Sequence, residues 1–172
     1  MNAIVSVDLN WGIGKLGNLL QRVPEDMAFF KTMTIGHVVI MGRETMQSLP
    51  RQEPLKDRVN LVLSRSLPRH QPEGTEPGFC VCSSIEDVLK ELARCDKDYR
   101  GLKKFVIGGE AIYREFLPYC HTAYVTKFAR AYDADRYFPN LDEDLAWRLA
   151  EESGARYHNG LEFRFATYRR QP

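Results

Sequence analysis

His37-Val-Val-Ile-Met-Gly-Arg-Glu-Thr-Met-Gln-Ser-Leu49 opens with a short apolar run and changes character at Gly42. The run predicts a buried strand over His37–Met41, and the segment from Gly42 to Leu49 predicts a helix that starts where the strand stops. Such a helix start, with Arg43 and Thr45 beside it, offers backbone N–H groups, a guanidinium and a hydroxyl to a phosphate. A capped helix carrying a surface arginine is the plain alternative for this segment taken alone. The same pattern returns at Lys104-Phe-Val-Ile107, where Gly108-Gly109 lead into the helix Glu110-Ala-Ile-Tyr-Arg-Glu-Phe-Leu117 and Pro118 ends it. Paired glycines there either let phosphates approach the backbone or allow close packing of helix on strand.

Upstream, Ala3–Val7 predicts another buried strand, leading into a loop from Asp8 to Asn18. Gly12, Gly14 and Gly17 in that loop match G-x-G-x-x-G, but the pattern begins several residues after the strand and no helix follows at once. The dinucleotide fingerprint is therefore set aside, and a mobile loop covering a site is expected instead. Next comes Val23-Pro-Glu-Asp-Met-Ala-Phe-Phe-Lys31, with Pro24 at a first helical position and Glu25 and Asp26 at the positive end of the dipole. Met27, Phe30 and Thr34, with Phe29 and Met33, give a broad apolar helical face that Asp26 borders. A solvated acid in a first turn is the ordinary reading of Asp26. A carboxylate in an apolar pocket, ready for a cationic or amidine-like ligand, is the sharper one.

Downstream, Pro50 to Asp57 reads as a turn and Val59–Ser64 as a strand bracketed by Arg58 and Arg65. Ser66 to Gly78 reads as a surface loop, Phe79–Cys82 as a strand, and the segment from Ser83 or Ser84 to about Arg94 as a structural helix with a capping box. Thr122–Phe128 predicts a strand carrying Thr126, and Trp147–Glu152 with Leu161–Arg169 predicts paired strands turning near Asn159-Gly160. The order implies an α/β domain with a mostly parallel central sheet of about eight strands, an antiparallel C-terminal hairpin and about four flanking helices. In such sheets ligands gather at the carboxyl ends of strands, which is where Asp8–Asn18, Gly42-Arg43, Ser64-Arg65 and Gly108-Gly109 all fall.

Composition narrows the function. The 172 residues, 44% apolar, fit one domain spanning 1–172. Twenty-four basic against 23 acidic residues give a formal charge of +1, so no bulk field favours nucleic acid or an anionic membrane. The N-terminal apolar run is too short for a signal peptide or membrane span, and a cytoplasmic protein is expected. Cys80, Cys82, Cys95 and Cys120 are expected as reduced structural thiols, and no metal site is expected from the cysteines or from the four histidines. No apolar stripe is left over for a partner, so a monomer is expected.

Taken together, Trp11-Gly-Ile-Gly14, Pro24-Glu-Asp26 with Phe30, Val39-Ile-Met-Gly-Arg43 with Thr45, Arg58 with Leu61-Val-Leu-Ser-Arg65, Val106-Ile-Gly-Gly109 with Tyr113, Thr126 and Tyr137-Phe-Pro139 resemble the dihydrofolate reductase family over nearly the whole chain. The resemblance implies reduction of dihydrofolate to tetrahydrofolate with NADPH, by hydride transfer to C6 and protonation at N5, in one-carbon metabolism. It implies that Asp26 accepts a forked pair of hydrogen bonds from the pterin, that Thr126 holds Asp26, and that both are catalytic. Ile4, Val5, Ile107 and Tyr113 are implied around the pterin, with Met27, Phe30, Leu49 and Leu55 as walls and Arg58 on the glutamate-tail carboxylate. For the cofactor it implies Ser6, Ile13 and Gly14 near the nicotinamide, and Gly42, Arg43, Glu44 and Thr45 near the phosphates. Leu63, Ser64 and Arg65 fall around the 2′-phosphate, while Ile107, Gly108, Gly109, Glu110, Ala111, Ile112 and Tyr113 underlie the pyrophosphate and neighbouring groups.

The family's antifolate inhibitors, methotrexate and trimethoprim, are implied ligands. The chain departs from the common pattern at Leu20-Gln21 in place of Pro-Trp, at Met46 in place of Trp, at Ser6 in place of Ala and at Glu110 after the glycine pair. Glu110 is expected to repel a pyrophosphate unless it points away. Reduction of a pyrimidine-ribityl phosphate on the same scaffold is the related alternative, and Asp26 with Arg58 argues against it.

Overall fold

The computed structural model describes residues 1–70, 78–98 and 101–172. The chain begins with β1 (Asn2–Val7), the short antiparallel pair β2 (Gly12–Lys15) and β3 (Asn18–Leu19), and α1 (Pro24–Thr34). It continues through β4 (Val38–Gly42), α2 (Arg43–Ser48), β5 (Val59–Leu63), β6 (Phe79–Cys82) and α3 (Ile85–Asp98). The remainder adds β7 (Lys104–Gly108), α4 (Glu110–Phe116), β8 (Thr122–Phe128), β9 (Arg136–Tyr137), β10 (Trp147–Glu152), β11 (Arg156–His158) and β12 (Leu161–Arg170). The main sheet has the spatial order β10-β12-β8-β1-β7-β4-β5-β6, with β11 also on β12. From β8 to β6 every pair is parallel, and β12 runs antiparallel to β8, β10 and β11. The mostly parallel sheet of about eight strands, the four helices and the antiparallel C-terminal hairpin are therefore as the sequence implies.

Strand alternation gives the sheet two different faces. Ala3, Val5 and Val7 of β1 join Val38, Ile40, Leu61, Val106 and Val125 in the larger core, which also takes Val88, Leu92, Ile112 and Phe116 from α3 and α4. The opposite face carries Val39, Met41, Val62 and Val81, with Met46, Leu49, Leu55 and Ile107 half-buried against them. Beside it Val23, just before α1, packs with Phe128, Leu161 and Phe163, and the Phe29 ring lies 4.6 Å from that of Phe165. Ile4 and Ser6 fall on this second face, toward α1.

Two glycines make these junctions possible. A Cβ at Gly42 would stand 2.8 Å from Ile112 Cγ1, so β4 and α4 approach as closely as they do only without one. Gly108 has φ +119, and a Cβ there would meet Tyr113 at 3.2 Å and Thr45 Oγ1 at 3.5 Å. The end of β7, the start of α2 and the ring of Tyr113 are thereby gathered at one place.

Three features differ from the sequence reading. The apolar positions of α1 do not form a core face: only Asp26 and Thr34 are buried, and Met27 is 41% exposed. The span from Asp8 to Asn18, expected as a mobile loop, forms β2 and β3, and β2 pairs with β9 in a separate three-stranded sheet. The helix expected to end near Arg94 continues to Asp98. Cys80, Cys82 and Cys120 are buried free thiols. The side chain of Cys95 and the middle of the 66–78 loop lie outside the described residues.

Asp8 explains why the second difference arises. It is buried, and its carboxylate accepts the N–H groups of Asn10, Gly12 and Tyr132, each at 2.8 Å. One side chain thus ties both segments of the small sheet to the end of β1. Replacing it strands one buried and two part-buried donors, and Asp8→Ala is expected to cost about 2–4 kcal/mol. Urea unfolding measures that loss, and an unchanged midpoint refutes the assignment.

Candidate active site

Asp26 sits in the first turn of α1 with 7% of its surface exposed. The Ser6 hydroxyl, at the end of β1, donates to Asp26 Oδ2 at 2.6 Å. β1 and β8 pair in parallel with Ser6 opposite Thr126, so the two hydroxyls emerge side by side on the α1 face. Burial raises the Asp26 pKa above its ordinary 3.8, while Ser6 and, to a lesser degree, Thr126 pull it down. Tyr113, fully enclosed, donates its O–H to the Ile4 carbonyl at 2.7 Å, and burial raises its own pKa far above the usual phenol value. A carbonyl has two lone pairs, and the Tyr113 bond occupies one of the two on Ile4. Val5, placed with Ile4 from the sequence, turns its side chain into the opposite core, because alternate residues of a strand face opposite ways.

At the far end of α1, Thr34 is fully buried and donates to the Phe30 carbonyl at 2.8 Å. Its oxygen accepts Arg58 Nη1 at 3.1 Å, and Arg58 Nε donates to the Lys56 carbonyl at 3.0 Å. The guanidinium is thus held in place, with its pKa lowered by burial, while no carboxylate among the described residues pairs with it. Asn60 fixes the approach to it: its side chain accepts Leu55 N–H and donates to the Leu55 carbonyl, both at 2.9 Å, and donates to the Arg58 carbonyl at 3.0 Å. Sequence reasoning missed Asn60. Its signal was one amide inside the apolar run Val59-Asn-Leu-Val-Leu63. Phe30, Leu49, Leu55 and Ile107 are half-buried, so a partly open apolar wall runs between Asp26 at one end of α1 and Arg58 at the other.

On the other side of Gly108 a cleft of about 1090 Å³ is lined by Gly42, Arg43, Glu44, Leu63, Ser64, Arg65, Gly109, Glu110, Ala111 and Ile112, all named from the sequence. Thr45 borders it, with Oγ1 3.5 Å from where a Cβ on Gly109 would stand. Arg43 Nη1 donates to Ser66 Oγ at 2.8 Å, and Ser66, Ser83, Ser84, Ile85, Arg114, Glu115 and Arg136 complete a lining that sequence reasoning left unfinished. Asp26, Ser6 and Ile13 lie outside this lining. Glu110 does turn away from an incoming anion: Oε1 accepts from Arg114 at 3.1 Å and Oε2 accepts the Tyr137 N–H at 2.9 Å. Gly14 takes part in the small sheet, pairing with Leu19 and Arg136.

One end of the sheet thus presents a buried carboxylate, an apolar groove ending in an arginine, and a cation-lined cleft over glycine junctions. The dihydrofolate reductase family model matches residues 1–170 of the chain. Dihydrofolate reductase of Bacillus subtilis (strain 168) is 35% identical over 170 residues, covering 98% of this chain and 93% of that protein. The Schistosoma mansoni enzyme of the same name is 34% identical over 181 residues, covering 98% and 95%. That of Sus scrofa is 31% identical over 183 residues, covering 98% and 96%. With the match running through every element that builds these three features, the chain belongs to the dihydrofolate reductase family.

Proposed function

We propose that this protein reduces 7,8-dihydrofolate to 5,6,7,8-tetrahydrofolate, C6 gaining a hydride and N5 a proton, in the supply of one-carbon metabolism. The observation that carries the reading is Asp26: a buried carboxylate, bonded to Ser6, at the head of a groove that ends at Arg58. Its two oxygens suit a forked pair from the 2-amino group and N3–H of a pterin, a geometry that fixes a flat ring in one orientation. Arg58, with no carboxylate partner among the described residues, suits the α-carboxylate of the glutamate tail. Met27, Phe30, Leu49, Leu55 and Ile107 supply apolar contact between these two polar ends. Asp26 acts by orientation and by favouring the protonated pterin where few waters compete, and solvent delivers the proton to N5.

A nicotinamide cofactor fits the second cleft. Four arginines and four serines around glycine junctions match the chemistry of a phosphate-rich dinucleotide, and of the acids in the lining Glu110 is paired with Arg114 and Glu44 with Arg136. We assign NADPH, which supplies the hydride when bound. Ser64, Arg65 and Arg43 would hold the 2′-phosphate and its neighbours, Thr45 and the Gly108-Gly109 backbone the pyrophosphate, and Ile13, Gly14 and Ser6 would flank the nicotinamide. On the same reading the protein acts as a monomer in the cytoplasm and binds antifolates in the pterin groove.

Asp26→Asn keeps size and removes charge, so dihydrofolate reduction at neutral pH is expected to fall roughly 100-fold or more and to recover partly in acid. The same variant tests the burial. A carboxyl with a raised folded-state pKa binds its proton more tightly in the folded protein than in the unfolded chain, so stability falls as pH rises through the window above 3.8. Without ligand, Asp26→Asn is expected to melt at or above the parent temperature at neutral pH, the difference shrinking on acidification. A clearly lower neutral melting point refutes this.

For the cofactor, each charge-assisted contact contributes about 1.5–3 kcal/mol, so the preference for NADPH over NADH is expected to drop about 10- to 100-fold in Arg65→Ala. Equal discrimination by parent and variant, measured as the ratio of kcat/KM values, puts the phosphate elsewhere. Gln21, half-buried where an indole is common, leaves the ring pocket without a fixed wall. Gln21→Trp is expected to tighten trimethoprim, which lacks a tail for Arg58, more than methotrexate. Equal gains for both inhibitors reject that role.

A further inference from the structure

Ser6 stands where the family commonly has alanine, and its hydroxyl is engaged with Asp26 Oδ2 at 2.6 Å. The contact is built into the sheet. Parallel pairing sets Ser6 beside Thr126, and both strands end under the first turn of α1. A hydroxyl has one proton: donated to Asp26, it leaves Ser6 able only to accept from a cofactor's carboxamide. A carboxylate offers about four acceptor positions, so a donor on Oδ2 and Thr126 on the β8 side still leave room for two N–H groups of a ligand.

We propose that Ser6 is a positioning residue for the reaction: its O–H, donated to Oδ2, fixes the plane in which the Asp26 carboxylate presents its remaining lone pairs to the pterin. The proposal rests on Asp26 being the pterin-binding carboxylate. A buried carboxylate without donors is driven toward its protonated form, which can accept only part of the forked pair. Of the two hydroxyls acting on Asp26, that of Ser6 has the stronger effect in holding it ionised.

Among the described residues no other charge takes over this function. From α4, the enclosed Tyr113 phenol faces Asp26 and feels its charge, but its O–H is donated to the Ile4 carbonyl. On α1 itself Glu25 pairs with Arg156 of β11 at 3.3 Å, and Lys31 lies on the exposed surface. From the β4–β5 side Arg58 is fixed on Thr34, more than two turns away along the helix. On β8, Lys127 faces the opposite side of the sheet, bonded to Asp142 and Tyr168.

The test is direct titration of Asp26 in the full chain without ligand, by carboxyl ¹³C resonances of aspartate-labelled protein, with Asp26→Asn identifying the signal. Ser6→Ala is expected to raise the Asp26 midpoint by about half a pH unit or more and to shift the acid limb of kcat/KM for dihydrofolate by the same amount, roughly a threefold loss below the midpoint. Ser6→Thr, which keeps the hydroxyl on a side chain suited to a strand, is expected to stay close to the parent in both. An unmoved midpoint in Ser6→Ala, or a Ser6→Thr midpoint displaced as far as that of Ser6→Ala, overturns the proposal. Full activity of Asp26→Asn overturns the assignment of Asp26 itself. The two failures are distinct, because the titration needs neither substrate nor turnover.

Discussion

The bond from Ser6 to Asp26 joins the first strand to the first helix at the point where a charge leaves water. An ionised carboxylate buried among apolar groups is tolerated only if donors replace its hydration. Here those donors come from the ends of β1 and β8, which lie side by side because the sheet places them as parallel neighbours in register. The same pairing brings Ile4 and its Tyr113 bond to the pocket floor. Packing of α1 through Val23 and Phe29 onto the aromatic residues of β12 sets the helix at the height where Asp26 reaches the strand ends. The site is thus a consequence of strand order, and a one-residue slip of β1 would turn Ser6 into the opposite core and away from Thr126.

Much of this was legible because the signals were local. Strand, glycine and helix follow one another within a few residues at Gly42 and again at Gly108-Gly109, and each junction is a complete physical statement about backbone geometry. The prominence of Asp26 was also local, an acid among Met27, Phe29 and Phe30. The features that escaped depend on pairs far apart in sequence. Asp8 holds Tyr132, and β2 finds β9, across more than a hundred residues, and Gly12–Lys15 alone has neither the length nor the alternation of a strand. Asn60 escaped for another reason. A lone amide in an apolar strand has many possible partners, and the turn it holds at Leu55 and Arg58 becomes apparent only when the chain folds back.

Glu110 shows how an unfavourable local reading can be reversed by tertiary contacts. From the sequence, an acid at the start of a helix beside a phosphate-binding junction is repulsive. In the fold it lies between Arg114 and the Tyr137 N–H, so its charge is matched and it tethers β9 to α4. Arg136 reaches back to Glu44 at 3.7 Å from the same strand. The small sheet is therefore attached at the rim of the cleft by polar contacts and at its root by Asp8. Polar rim contacts are individually weak and exposed, whereas three bonds at the root converge on one buried carboxylate.

The exposed apolar side chains of α1 complete the division of labour. A helix with Met27 in the open and Phe30 only half-covered buries little along its middle beyond Phe29 on Phe165, and its ends are held by Asp26 and Val23 at one and Thr34 at the other. The uncovered middle is the part a flat, largely apolar ring system would cover. Affinity on that surface scales with area and carries little directional preference. Orientation must come from the polar ends, where one carboxylate and one guanidinium are already fixed by neighbouring side chains. On the proposed reading, separating the two contributions would let the groove accept ligands of differing bulk along its walls while Asp26 keeps the ring oriented.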